Sequence, residues 1–330
     1  MRVHFVSDAA TASFFDKYDT SAIDRFPDRF KDSNWAWIAQ TALILRDVGV
    51  QVSVGCEFKN DRINVALADR IRSMRRAPDV FVVSIDADQL RPKWVNFFIA
   101  QNKLQVAGPR AIWMPHWPQP GLIPRSLDRS GFSQVGYFGT LYNLYRDADW
   151  WRKICAETGM KFIIRNPNDW NDYSDIDVVV AVRSFPSNKK YENKPPSKLF
   201  NAWLASSVFI GGGDSAYRQV GAPGQDYLLA KNEGDLKRHL VRLREDPKYG
   251  DALTERGGER VEDVGSREST SRRWQKVLET EIRGVYEDWY SQPKIVRRRQ
   301  YLGGLWGDYM IRKRNATWRR VRPFVRFRDS

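Results

Sequence analysis

One pattern constrains this chain more than any other: short apolar runs alternate with helix-spaced segments, and the alternation occurs twice. In the first half, residues 2–7 (RVHFVS), 50–56 (VQVSVGC), 79–85 (DVFVVSI) and 111–114 (AIWM) read as strands. Residues 33–47, with Ser33 as a candidate N-cap, and residues 63–76 read as helices. In the second half, strands are expected at 134–138, 161–164, 176–182, 207–210 and 226–230. Helices are expected at 147–158, 196–205 and 233–245, and with interruptions over 251–290. Between the halves, PHWPQPGLIPRSLDRSG (115–131) holds four prolines and two glycines, the composition of a linker. Strand–helix alternation builds a parallel sheet covered by helices on both faces. The expected fold class is therefore α/β, with two doubly wound Rossmann-like domains facing across a cleft. The expected boundaries are 1–122, 132–290 and a tail over 291–330, with the last helices returning toward the first domain.

Charge and cysteine content narrow the setting. The net charge is +14, but residues 294–330 hold twelve basic and two acidic residues. The basic character thus belongs mainly to a tail, not to a body built around nucleic acid. Two cysteines, Cys56 and Cys155, give no disulfide framework and read as two buried thiols. The chain opens on a strand pattern rather than a charged start with an apolar core, and no run of 18 apolar residues occurs. The expected location is cytoplasmic, peripheral on the inner face of a membrane.

The segment KPPSKLFNAWLASSVFIGGG (194–213) is the richest in chemistry. Two prolines precede a helix, where a missing N–H costs nothing. Lys194 sits before that helix, and Lys198 and Asn201 lie near its start. Cations at a helix N-terminus suit a diphosphate, and an amide suits ribose hydroxyls. The alternative is an ordinary helix with surface lysines. The glycine triplet 211–213 lets backbone approach a ligand. Arg183, ending a central strand, suits a phosphate or leaving-group contact, with a salt bridge as the other reading.

The segment 194–213 resembles the signature of the C-terminal domain of GT-B glycosyltransferases of the family 1/4-like group. In the large retaining families that stretch carries two Glu separated by six residues. Registered on the strand from Val208 to Ile210, Lys194 and Asn201 stand where those acids would be, which marks a divergent member. GYFGTLYNL (136–144) is similar to the first strand and Gly turn of such a domain, which places Gly139 and Thr140 against the donor. NDWNDYSDIDVVVAVR (168–183) and GQDYLLAKNEGDLKRHLVRLREDP (224–247) look like its later strand segments. The resemblance implies a hexosyltransferase-like enzyme with a nucleotide-sugar donor and a glycan or lipid-linked acceptor, in surface polysaccharide or lipopolysaccharide synthesis. A nucleotide-sugar epimerase and a non-catalytic sugar- or nucleotide-binding protein are the rivals on the same fold.

Candidate catalytic residues are Asp8 after the first strand, Asp86 and Asp88 after VFVVSI, and His116 in the linker, each suited to deprotonate an acceptor hydroxyl. Asp is also a common turn residue, and His116 among prolines and Trp113/Trp117 reads equally as a hinge contact. His4 reads as a core residue and His239 as solvated. No His/Cys/Asp cluster has metal-ligand spacing, so no cofactor and no metal are expected; Asp86-Ala-Asp88 alone resembles the Asp-x-Asp metal motif of the other glycosyltransferase fold. In the tail, Leu302, Leu305, Trp306, Tyr309 and Met310 recur at helical spacing. Arg297, Arg298, Arg299, Arg312, Lys313 and Arg314 flank them, and Trp318, Phe324 and Phe327 follow. An anionic membrane surface is one partner this suits, with Trp306, Arg312, Lys313 and Arg314 carrying it. Docking back onto the first domain is the second reading, and a polyanion the third.

Overall fold

A computed structural model of the chain describes residues 2–74, 78–187 and 189–325, with side chains up to Arg314 in the last helix. Trp318, Phe324 and Phe327 therefore have side chains outside the described residues. The first sheet contains β1 (Arg2–Val6), β2 (Gln51–Gly55), β3 (Ile63–Leu67), β4 (Phe81–Ile85), β5 (Phe97–Ala100) and β6 (Ala111–Trp113), in the order β2-β1-β3-β4-β5-β6. The second contains β7 (Gln134–Phe138), β8 (Lys161–Arg165), β9 (Val178–Ala181), β10 (Val208–Gly211) and β11 (Leu228–Leu229), in the order β11-β10-β9-β7-β8. Every strand pair is parallel, as the alternation requires. The chain is α/β with two doubly wound domains.

Burial explains the register. In β9 and the residue after it, Val178, Val180 and Val182 enter one core of the second domain, while Val179 and Ala181 enter the other. That period of two, with both faces apolar, is what a central strand between helical layers needs. Helix Ala148–Glu157 and helix Glu233–Glu245 cover the first face, and helix Ser197–Leu204 covers the second.

Three expectations are corrected. Residues 63–76 are not one helix: INVAL forms β3, fully buried between β1 and β4, and only Ala68–Ser73 is helical. Burial on all sides hides the period that distinguishes strand from helix. β5 (FFIA) was not anticipated; its short run lies among turn residues. Cys56 is exposed just past β2, whereas Cys155 is buried and its thiol is pushed up to about 12 by that burial.

The second domain ends near residue 265. Helices Arg267–Val277 and Arg283–Ser291, with the π-turn Leu278–Ile282 between them, insert Trp274, Val277, Leu278, Ile282 and Trp289 into the first domain's core. Arg273 anchors the crossing by donating to the Trp113 carbonyl at 2.9 Å. The last helix, Lys294–Val325, then packs on the opposite face of the first sheet. Tyr301 and Leu305 meet Trp94, Ile71 and Val82 there. A Cβ on Gly304 would overlap the Trp94 backbone, so this glycine permits the close approach. Arg298–Asp79 (3.0 Å) and a bond from the Lys93 N–H to Asp308 (2.8 Å) fix the helix in place.

Candidate functional site

In a doubly wound sheet, ligands lie beyond the carboxyl ends of the strands, where the strand order reverses. In the second sheet that point lies between β7 and β9. Gly139 and Thr140 follow β7 and Arg183 follows β9, and all three line a cleft of about 330 Å³ between the domains. The same cleft is lined by Asp88, His116, Lys194, Lys198 and Asn201. The fold thus gathers eight residues from five separate stretches of the sequence.

Lys198 occupies the first turn of helix Ser197–Leu204. A Cβ on Gly139 would stand 3.1 Å from both Lys198 Cε and the Tyr137 hydroxyl, so the glycine turn makes room for the ammonium. Burial, with help from the Arg183 and Lys194 cations, pushes the Lys198 amine down to about 8. Asp214 and Asp88 pull the other way. Arg183 donates to Asp214 at 2.8 Å and to Asn143 Oδ1 at 3.3 Å. The salt-bridge reading of Arg183 therefore holds, and Asp214, 1% exposed, aims the guanidinium at the cleft wall. Burial raises the Asp214 carboxyl above its ordinary range while Arg183 opposes this, and its Oδ2 is buried without a hydrogen-bond partner.

The first domain and linker supply the facing wall. His116 Nδ1–H donates to the Trp117 carbonyl at 3.0 Å, which leaves Nε2 as the unprotonated nitrogen of the neutral ring. Burial lowers the His116 pKa, and the ring stands edge-on to Trp37 at 5.0 Å. Asp88 bridges the domains: it accepts from Lys194 Nζ and from Gln101 Nε2, each at 2.8 Å. Gln101 and Asn102, both buried, donate to the carbonyls of Asn193 and Lys194 at 2.7 and 3.0 Å. Asn201 accepts the Gln119 N–H at 3.1 Å, which ties helix Ser197–Leu204 to the linker.

Other candidates are placed elsewhere. Asp8 is not among the cleft-lining residues: it N-caps helix Ala9–Lys17, accepting the Thr11 N–H at 2.7 Å, and also accepts from Asn34. Asp86 is 1% exposed and committed to Arg91 (2.7 Å) and the Ser84 hydroxyl, so Asp86 and Asp88 do not form a paired motif. The glycine triplet serves packing: a Cβ on Gly212 would overlap the Ser184 carbonyl, and one on Gly213 would stand 3.0 Å from the Phe185 carbonyl. His239 is half-buried against the Leu229 carbonyl rather than solvated, whereas His4 is core, bonded to Ser53 and Glu57. Trp306, Arg312, Lys313 and Arg314 are exposed on the last helix. Among the described residues, no three His, Cys, Asp or Glu side chains gather as a metal site.

Sequence reasoning missed Gln40 and Gln119. Gln40 is 1% exposed, lines the cleft, and neither of its amide atoms has a hydrogen-bond partner among the described residues; Gln119 Nε2 is likewise unpaired. Leaving a buried amide unpaired costs about 1–3 kcal/mol. The signal in the sequence is one amide inside an otherwise apolar helical run, WAWIAQTALIL.

No protein-family model matches the sequence, and no curated protein matches it. Solved structures do. The chain is similar to sucrose-phosphate synthase from Thermosynechococcus elongatus at 11% identity and a TM-score of 0.56, covering 86% of this chain and 100% of that one. HepE from Anabaena, solved with UDP and glucose, aligns at 11% identity and a TM-score of 0.50 over 85% of this chain and 100% of that one. TarM aligns over 72% of this chain but 58% of its own length, at 11% identity and a TM-score of 0.49, so this chain spans under two thirds of that protein. The fold is thus of the GT-B class, the two-Rossmann-domain fold of glycosyltransferases. Within that class the chain is divergent, with Lys194 and Asn201 where a Glu pair was the expected signature.

Proposed function

We propose that this chain is a glycosyltransferase that moves a sugar from a nucleoside-diphosphate donor to a hydroxyl of a glycan or lipid-linked acceptor. One observation carries the reading: Lys198 and Arg183 stand at the switch point of the second sheet, beside the glycine turn after β7. A leaving diphosphate gains negative charge as the glycosidic bond breaks, and preorganised cations in a partly dry cleft stabilise that charge. Lys198 and Arg183 hold the diphosphate, Gly139 and Thr140 give it room, and Asn201 lies one turn further along the helix. Lys194 is held by Asp88 until donor phosphate competes for it.

The facing wall takes the acceptor. His116 is neutral at pH 7 with Nε2 free to accept a proton, the state a general base needs. Gln40 and Gln119 have amides to offer to acceptor hydroxyls. The UDP and glucose bound by HepE support a nucleotide-sugar donor here by likeness of fold. The basic, aromatic last helix is what supports a surface polysaccharide or lipopolysaccharide acceptor.

A thermal-shift screen against UDP, GDP, CMP and ADP and their sugars tests the reading. A ligand at 100 times its Kd stabilises by about 2.7 kcal/mol. One nucleotide should raise the Tm, and Lys198→Ala should remove that rise while the free variant still unfolds cooperatively. If no nucleotide shifts the Tm, the donor site is wrong. Consumption of the sugar donor without any acceptor would mark an epimerase.

A further inference from the structure

We infer that the junction between helix Ala68–Ser73 and the last helix is a phosphate pocket for anionic phospholipid, and that it seats this face of the chain on a bilayer. A cavity of about 180 Å³ opens there, away from the donor cleft, lined by Arg72 and Arg312 over an apolar floor of Ile71, Met74, Trp94 and Leu305. Neither arginine has a hydrogen bond or ion pair among the described residues, and Arg72 Nη2 is buried with no partner. A buried guanidinium nitrogen left unmatched is costly, and an oxyanion is its natural complement. Burial disfavours the Arg72 charge most; the Asp308 carboxylate offsets part of that, and the neighbouring Arg312 cation adds to it. An arriving anion relieves both effects. Asp308, also in the lining, accepts the Lys93 N–H through Oδ1 and forms no ion pair with either arginine among the described residues, so two cations and one carboxylate leave the pocket net positive.

A second observation selects the source of the phosphate. Beside the pocket, Leu302, Trp306, Tyr309 and Met310 are 61%, 66%, 58% and 43% exposed. Leu302, Trp306 and Tyr309 follow at i, i+4 and i+7, so they form one stripe along the helix next to the docked edge of Tyr301 and Leu305. Arg299 and Arg314 are exposed on the same helix. Free phosphate needs no apolar stripe. A bilayer supplies both partners at once, acyl boundary for the aromatics and headgroup phosphate for the two arginines. The last helix therefore docks by one face and leaves the adjacent face for lipid.

Vesicle sedimentation of the full chain tests this, with phosphatidylcholine alone and with added phosphatidylglycerol. Binding should require phosphatidylglycerol. Arg72→Gln/Arg312→Gln should weaken it beyond the roughly thirtyfold that any two basic residues contribute at an anionic surface. Arg299→Gln/Arg314→Gln removes the same charge from the same helix outside the pocket and should cost several-fold less. Arg312→Gln alone, at an exposed position, leaves folding intact and should still show a loss. Equal losses from the two double variants would mean diffuse charge and no pocket. Binding to a single-stranded oligonucleotide in preference to vesicles would overturn the lipid assignment, as would full competition by millimolar inorganic phosphate. Nucleotide-induced thermal shifts should be the same in every variant, so failure here leaves the donor site untouched.

Discussion

Lys198 is the residue whose environment makes the sharpest prediction. Its amine titrates at about 8 in the folded protein, well below an ordinary lysine. The sign follows directly. Below pH 8 the ammonium is charged and ready for diphosphate; above it the free protein loses that charge, and binding must take up a proton. Nucleotide affinity should therefore fall as pH rises from 8 to 10, by up to about tenfold per unit. Lys198→Met should bind weakly and show none of this slope. Calorimetric titrations at several pH values in buffers of different ionisation heat would measure both the slope and the proton. The sequence named Lys198 from its place at a helix start, but the lowered pKa comes first from burial and then from the Arg183 cation, both supplied only by the fold. Gln40 is the reverse case: its solitary amide was visible in the sequence, and its lack of a partner became meaningful only when it was found lining the cleft.

Among the elements, the linker is held more firmly than its prolines suggest. Asp177, at the entry to β9 and 0% exposed, accepts from Arg125 at 2.8 Å, from Arg129 at 2.8 and 2.9 Å, and from the N–H groups of Ser133 and Gln134 at 2.9 and 2.8 Å. Burial raises this carboxyl, but those bonds outweigh it and hold the pKa at about 2. The stability it contributes is present above pH 4 and is lost as pH falls through about 2. Asp177→Asn should cost about 3 kcal/mol or more, because two arginines lose their counter-charge inside the protein. Chemical denaturation at pH 7 would measure that loss, and the variant's stability should depend less on pH between 4 and 2. An unchanged midpoint would show that the two arginines find other partners.

For the whole molecule, the return of the C-terminal helices decides what folds with what. Trp274, Val277, Leu278, Ile282 and Trp289 complete the first domain's core. Each large apolar side chain contributes about 1.5–3 kcal/mol when buried, and five of them rival the whole stability of a domain, about 5–15 kcal/mol. A chain ending at Ser266 should leave the first domain unfolded, seen as rapid proteolysis of 1–122. A chain ending at Gln292 keeps those residues and should retain both domains, with a modestly lower Tm from the loss of Tyr301 and Leu305. Stable folding of the shorter chain would mean that the first core closes without them.

The sequence by itself determined the α/β class, the two halves, the proline-rich junction and most strand positions, because period, punctuation and capping are local properties. It also marked the cleft residues Arg183, Lys194, Lys198 and Asn201, since cations and amides beside strand ends and helix starts carry their chemistry with them, while Gly139 and Thr140 came from the family resemblance. Tertiary structure alone decided the rest. INVAL could be a strand only once neighbours buried it on both faces. Asp8 became a helix cap, and Asp88 became a bridge to Lys194 more than 100 positions away. Of the tail's three readings, docking onto the first domain holds for one side of the last helix, and the adjacent side is exposed, because which side a helix buries depends on the surface it meets.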